Sequence, residues 1–292
     1  MARNVADLLD ALDLEQIEAN IFRGRVPATG RGRVFGGLVV AQALVAATRT
    51  VDRRPPHSLH AYFILPGNPA LPIVYQVERV RDGGSFATRR CVAIQAGRPI
   101  FDLSASFHTE EPGLDHQAVM PDVPAPEDLL SSEEVAIRYP GRFPQGMMAW
   151  FATERAIEIR GCDISRYDGT GRSVPVQNIW LRAASPLPDD PAIHRAVLAY
   201  FSDLSLIDVT LAAHGKTLFQ PGFITASLDH AIWFHRPFRA DEWMLYAQDS
   251  PNTSGARGLA RGLLFTRDGK LAASVMQEGL IRPLDLALIQ KP

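Results

Sequence analysis

Three side chains in this sequence carry what a hydrolytic site needs, and they lie far apart along the chain. Asp203 follows Ser202 at the head of SDLSLIDVTLAAH, Ser227 opens SLDHAIWFHRP, and Gln277 lies within SVMQEGLIR. A carboxylate, a hydroxyl and an amide can together activate a water. The carboxylate takes its proton, and the other two fix its line of attack. Each also has a plainer reading. An Asp ahead of an apolar run is a helix N-cap that satisfies free N–H groups, and a Ser beginning a strand is an ordinary edge hydroxyl. Covalent alternatives lack their signatures: there is no GxSxG elbow, and Cys91 and Cys162 form neither a CxxC pair nor a Cys–His signature. His57 and His60, three apart on a strand, face opposite sides of it, so neither a metal nor any other cofactor is expected.

The elements that must position these residues are written twice. Setting Phe63 on Phe234 puts Pro66 on Pro237 and Arg90 on Arg261, an offset of 171 residues. One added residue in the next turn puts AGRP (96–99) on DGKL (268–271), and upstream GGLVVAQALVAAT (36–48) shares its apolar spacing with SDLSLIDVTLAAH (202–214). The common order is helix, strand, turn, strand, long strand, tight turn, strand. The first helix is apolar nearly all round and must be buried on most faces. The strands join through turns containing Gly, with TRDGK the strongest hairpin signal. The expected fold class is α+β, a double hotdog: two tandem repeats, each an antiparallel sheet wrapped around a buried helix. Residues 1–110 form the first repeat and 148–292 the second, which carries the catalytic residues. The Pro-rich, acidic stretch 111–147 reads as a surface linker.

The candidates emerge from comparing the copies. Ala273, Val275 and Gln277 share one face of the last strand, where the first copy has Phe101, Leu103 and Ala105. An amide therefore stands where the other half has a methyl, and a buried amide left alone costs about 1–3 kcal/mol. Asp203 stands where the first copy has Gly37, and Ser227 begins the strand beside that helix. Three polar departures converge on one buried helix end.

The stretches VFGGLVVAQAL, HSLHAYFILPG, RDGGSFATRRCVAIQAGRPIF, SDLSLIDVTLAAHG, LDHAIWFHRPFRADEWMLY, SGARGLARG and SVMQEGLIR resemble, in the same order, the acyl-CoA thioesterase II family. That resemblance implies a double hotdog that hydrolyses fatty acyl-CoA, of medium to long chain, to free acid and CoA. It places the family's catalytic Asp, hydroxyl residue and Gln on Asp203, Ser227 and Gln277. The family commonly has Thr at the hydroxyl position; Ser227 keeps the oxygen but loses a methyl and some χ1 stiffness. A family His falls on His57, a secondary candidate. Gly36 and Gly37 either let the backbone approach the substrate or pack helix tightly on sheet, and the oxyanion would be met by N–H groups at a helix N-terminus. Arg257 and Arg261 either meet CoA phosphates or pair with surface acids. SLDHAIWFHRP becomes the wall of the site, with Asp229 and His230 in support and Trp233 and Phe234 packing the helix. The rival readings are a non-catalytic acyl-CoA binder and a hotdog enoyl-CoA hydratase, whose Asp–His pair on one overhanging segment is not evident.

Composition bounds the rest. The chain has 292 residues, 46% hydrophobic and 21% charged, with a net charge of −2. It is globular and has no general attraction for nucleic acid or anionic membrane. No apolar run is long enough to span a bilayer, and the Asp-bearing start is not a signal peptide. Two scattered cysteines suit a reducing compartment, so the expected location is cytoplasmic. LIQKP at the end carries no address, and hotdog sheets commonly associate, so a homo-oligomer is expected.

Overall fold

A computed structural model describes residues 1–27, 32–167 and 174–284. Helix α1 (Val5–Leu12) leads to a small hairpin, β1 (Glu15–Glu18) and β2 (Ile21–Gly24). Helix α2 (Gly36–Thr48) follows, then β3 (Pro56–Phe63), β4 (Ile73–Asp82), β5 (Phe86–Gln95) and β6 (Arg98–His108). After α3 (Ser132–Arg138) and α4 (Gln145–Phe151) come β7 (Ile157–Gly161), β8 (Val176–Ala183), α5 (Pro191–Ser202) and α6 (Val209–Ala212). The chain closes with β9 (Phe223–Ser227), β10 (Asp229–Phe234), β11 (Met244–Ser254), β12 (Arg257–Thr266) and β13 (Leu271–Pro283). The LIQKP end lies outside the described residues.

The strands form one sheet in the order β1-β2-β4-β5-β6-β3-β10-β13-β12-β11-β8-β7, with β9 also on β13. The second half of that order mirrors the first. The equivalent strands β3 and β10 pair antiparallel at the centre, Leu59 opposite Ile232, so the two repeats share a single sheet. This is the double hotdog, in the α+β class. The TRDGK turn closes as the sequence demands: Gly269 has φ +82°, its N–H donates to the Thr266 carbonyl at 2.9 Å, and Thr266 N–H donates to the Lys270 carbonyl at 2.8 Å.

Helix α2 buries ten of its residues, from Gly37 through Ala47, between the sheet and α5. Its one interior amide is satisfied, because Gln42 donates to the carbonyls of Ala11 and Arg25 and accepts from the Tyr75 hydroxyl at 2.7 Å. The connecting stretch is more than a surface strap. A capping box of Ser131 and Glu134 starts α3, and Val135, Phe143 and Met147 join Phe151 and Tyr167 in a second apolar cluster. Among the described residues no helix is long and apolar enough to cross a membrane.

The expected second-repeat helix over 202–214 is corrected. Helix α5 runs ahead of it, capped by the Asp190 carboxylate on Ala192 N–H with Pro191 in the first turn, and ends at Ser202. Asp203 follows as its C-cap (φ −89°, ψ 0°); a turn of 3-10 helix over 206–208 and the short α6 come next. Asp203 is therefore not an N-cap. The apolar spacing of 202–214 is genuine, but the counterpart of α2 is α5, which follows β8 as α2 follows β2 and packs on α2. The stretch 203–214 is an addition after it.

The two halves meet where α2 begins and α5 ends. A Cβ on Gly37 would stand 2.2 Å from the Tyr200 carbonyl oxygen, so packing requires glycine there. Gly37→Ala is expected to lower unfolding stability by about 1–3 kcal/mol through this overlap. A urea midpoint equal to that of the parent would show that the helices can part at no cost.

Candidate active site

The residues at the helix junction surround one carboxylate. Asp203 Oδ1 accepts from Gln277 Nε2 at 2.6 Å and from Ser227 Oγ at 3.2 Å. The backbone N–H of Gly37, in the first turn of α2, also donates to this carboxylate. Phe35 caps α2 without a side-chain bond, so the positive end of the helix is open to the acid. Gly36 presses on the other oxygen: a Cβ there would lie 2.7 Å from Asp203 Oδ2. The glycine pair thus packs helix against acid as well as bordering the site.

A bulge brings Ser227 into the group. Ser227 was expected to open the strand, but it ends β9, and β10 starts one residue on. Ser227 pairs with Gly279, whereas Ala231 pairs with Met276. Three residues on one side therefore face two on the other, a β-bulge around Leu228. Strand alternation puts even-numbered His230, Ile232 and Phe234 on the buried face. The extra residue resets the parity, and odd-numbered Ser227 points to that face too. Glu278 N–H, displaced from its ladder, is taken by the Asp229 carboxylate at 2.6 Å. Asp229 holds the bulge. The same alternation corrects the expectation for Trp233: Phe234 joins the core, while Trp233 turns to the other face against the His60 ring, 5.1 Å between centroids.

Asp203 and Ser227 line a cavity of about 460 Å³ together with Gly36 and apolar Phe63, Leu65 and Ile100, while Gln277 is fully buried and is not part of the lining. Burial, partly offset by Gln277, Ser227, Gly37 and the charge of Arg33, pushes the Asp203 carboxyl up from 3.8 to about 6. The acid is therefore ionised at neutral pH yet far more basic than an exposed Asp. Beside it His230 is fully buried with Nε2 2.8 Å from Ser202 Oγ, and burial lowers it to about 4, so the ring is neutral.

The other sequence candidates lie elsewhere. His57 hydrogen-bonds Ser106 Oγ at 2.9 Å and packs against Phe86 and His108, away from the cavity lining. Arg257 pairs with Glu278 at 3.0 Å and Arg261 with Asp249 at 2.5 Å; neither lines the cavity. The cation that does line it is Arg33, whose Nη2 donates to the Thr225 carbonyl at 3.0 Å. Sequence reasoning missed it, and its place three residues before Gly36, at the entry to α2, was the available signal. Among the described residues no group of His, Cys, Asp and Glu could hold a metal ion.

Comparison with known proteins adds a separate line. Residues 148–280 match a family model described as acyl-CoA thioesterase, and residues 23–108 one described as the acyl-CoA thioesterase N-terminal domain. The acyl-CoA thioesterase 2 of Haemophilus influenzae is 41% identical over 279 residues, 94% of this chain and 97% of that protein. The crystal structure of an acyl-CoA thioesterase II, TesB2, from Mycobacterium marinum matches with a TM-score of 0.78 at 44% identity, covering 95% of this chain and 99% of that one. A protein with a hot dog fold from Alicyclobacillus acidocaldarius, 22% identical, shares the fold at a TM-score of 0.74 over 94% of this chain and 97% of that one.

The raised Asp203 value makes a stability prediction of definite sign. Between pH 3.8 and about 6 the folded state binds more proton than the unfolded chain at this group. Its contribution is therefore fully present below the unfolded value and is lost as pH rises through the folded one. Asp203→Asn keeps an oxygen for Gln277 and Ser227 but carries no charge to bury. The variant should exceed the parent in stability by up to about 3 kcal/mol above pH 6, and by little below pH 4. Urea unfolding at both ends of that window checks it; equal stabilities at neutral pH would mean the carboxylate is held without strain.

Proposed function

The chain belongs to the acyl-CoA thioesterase II family and is a hydrolase of acyl-CoA thioesters, and from that premise we propose that Asp203, Ser227 and Gln277 drive the hydrolysis through an activated water. The observation that carries this reading is the convergence of an amide and a hydroxyl on one oxygen of a carboxylate that lines a largely apolar cavity and whose pKa is raised to about 6. Asp203 takes a proton from the water as its oxygen adds to the thioester carbonyl. Ser227 and Gln277 hold that water in line. The negative charge forming on the carbonyl oxygen lies near the positive end of α2, where Gly36 borders the cavity. The tetrahedral intermediate collapses with cleavage of the C–S bond, and the proton held by Asp203 passes to the departing thiolate. Free acid and CoA result.

The substrates are acyl-CoAs of medium to long chain. Phe63, Leu65 and Ile100 offer the acyl group an apolar wall, and each methylene buried there contributes about 0.8 kcal/mol. A hydratase would need a His presented to the substrate beside the acid. His230, the His nearest in the fold, is fully buried, with Nε2 turned to Ser202. The first repeat has Ala105 where the second has Gln277, and α2 ends on Arg49 where α5 ends on Asp203, which supports one hydrolytic centre per chain.

Thiol release from a series of acyl-CoAs tests the proposal. kcat/KM should rise with chain length until the cavity is filled, and should fall as pH drops below about 6 with the protonation of Asp203. Asp203→Asn should lower kcat by about 10²–10⁴-fold. Ser227→Thr should stay within about tenfold of the parent, and Ser227→Ala should fall well below it. Near-parental turnover by a folded Asp203→Asn enzyme would sink the assignment of the base. Loss of enoyl absorbance without thiol release would favour a hydratase.

A further inference from the structure

The Gln277 amide can sit in two orientations that differ by half a turn, and only one sends N–H to Asp203. The other would set a carbonyl oxygen against a carboxylate oxygen. At 2.6 Å from Asp203 Oδ1, Nε2 is held in the productive orientation, so its oxygen must be fixed by something else. Among the described residues, neither the buried Gln277 Oε1 nor the buried His230 Nδ1 has a hydrogen-bond partner.

These two atoms belong to facing residues. The β10–β13 register reaches Ala231 opposite Met276, and by Leu228, whose N–H donates to the Glu278 carbonyl at 2.9 Å, it has shifted by one. Asp229 and His230 therefore both fall against Gln277, and the Gln277 side chain acts directly on the His230 ring. The side chains of His230 and Gln277 are both fully buried. The first repeat has Leu59 opposite Ala105 at the equivalent pair, also buried. The pair is apolar in one half and polar in the other, as expected if each polar member needs its neighbour.

We propose that His230 is the positioning residue of the site: its Nδ1–H tautomer donates to Gln277 Oε1 while Nε2 accepts from Ser202 Oγ, and this turns the amide nitrogen of Gln277 toward Asp203. The inference rests on the reading of Gln277 as the amide that holds the water. A neutral ring has one N–H and one lone pair. With the proton on Nε2, the Nδ1 lone pair would confront the Gln277 oxygen, two acceptors face to face; with it on Nδ1, both buried atoms are satisfied. Ser202 Oγ also lies 3.0 Å from the Ala199 carbonyl, and in this arrangement its proton goes to the ring instead. The order of donation is Ser202 to His230 to Gln277 to Asp203, closed by the peptide bond between residues 202 and 203. Burial keeps the ring neutral, with a pKa of about 4, so the arrangement holds across the working pH range.

The test compares His230→Leu with His230→Asn, whose amide nitrogen falls near the place of Nδ1, each in the parent and in a Gln277→Ala background. kcat and KM are read from thiol release. His230→Leu should lower kcat by about ten- to hundredfold with little change in KM, His230→Asn should recover most of the loss, and in the Gln277→Ala background His230→Leu should add less than about threefold. Equal losses in both backgrounds, or a folded His230→Asn as impaired as His230→Leu, would overturn the proposal. If Gln277→Ala alone kept parental kcat, the water-holding reading itself would fall, which separates the two failures. The ring nitrogen shifts of His230 in the parent protein, by ¹⁵N NMR, read the tautomer whether or not the variants fold; a proton on Nε2 would overturn the assignment.

Discussion

The structure turns on keeping one enclosed carboxylate ionisable. Burial disfavours the charge on Asp203, and its place at the C-terminal, negative end of α5 is the wrong end of a helix for an anion. The compensation comes from outside its own helix: the N–H of Gly37 at the start of α2, the hydroxyl of Ser227 at the end of β9, and the amide of Gln277 in β13. Two of these donors come from the second repeat and one from the first. The halves must therefore approach until no side chain fits between them, and this is why Gly36 and Gly37 stand at the junction.

That requirement accounts for the asymmetry of the two copies. A sheet built from two equivalent halves would have presented the same residues at each end of its central pair, β3 and β10. The second half departs in its polar residues, while the backbone shift is common to both: β3 slips by one residue against β6 between Pro56 and Ser58, as β9 and β10 do against β13. The bulge around Leu228 changes the parity of β9 against β13, so that Ser227 and His230 share a face although they are three positions apart. The displaced Glu278 N–H is answered by Asp229. The first repeat carries the same one-residue shift, between Pro56 and Ser58, but has Leu59 and Ala105 in the matching places and remains wall and scaffold.

Much of this was legible in the sequence. The 171-residue offset gave every long strand its partner, because strand length and turn chemistry survive where identities do not. The polar departure from the strand repeat picked out Gln277 for the same reason, whereas Asp203 was found by setting it on Gly37, although it ends α5 and Gly37 begins α2. The failures are local. Ser202-Asp203 before an apolar run has the composition of an N-cap, and only the helix arriving from Pro191 makes it a C-cap. SLDHAIWFHRP alternates without a break, and one unpaired residue leaves no compositional mark, so the bulge was invisible. The offset did set His230 on Leu59, a fourth polar departure, but a buried neutral His and a charged exposed one look alike in a sequence. The acids that occupy Arg257 and Arg261 lie on neighbouring strands, and strand neighbours follow from register, which spacing alone does not supply.

The donors that hold Asp203 ionised also work against it as a base, since every hydrogen bond to the carboxylate lowers its affinity for a proton. An exposed Asp, ionising near 3.8, would be a feeble acceptor at neutral pH; an enclosed one without donors would already hold its proton. A pKa of about 6 lies between these extremes and close to where general-base efficiency is greatest. The donors are also unequal. Gln277 at 2.6 Å makes a short charge-assisted bond, and Ser227 at 3.2 Å a long one. A hydroxyl can rotate and accept from a water while still donating to the carboxylate, which an amide nitrogen cannot do. In the proposed reaction Gln277 therefore sets the acidity of Asp203, and the looser Ser227 is the group that yields to the incoming water. A serine without the stiffening methyl of threonine suffices there, because a side chain that must reorient in each turnover has no need of a single fixed χ1.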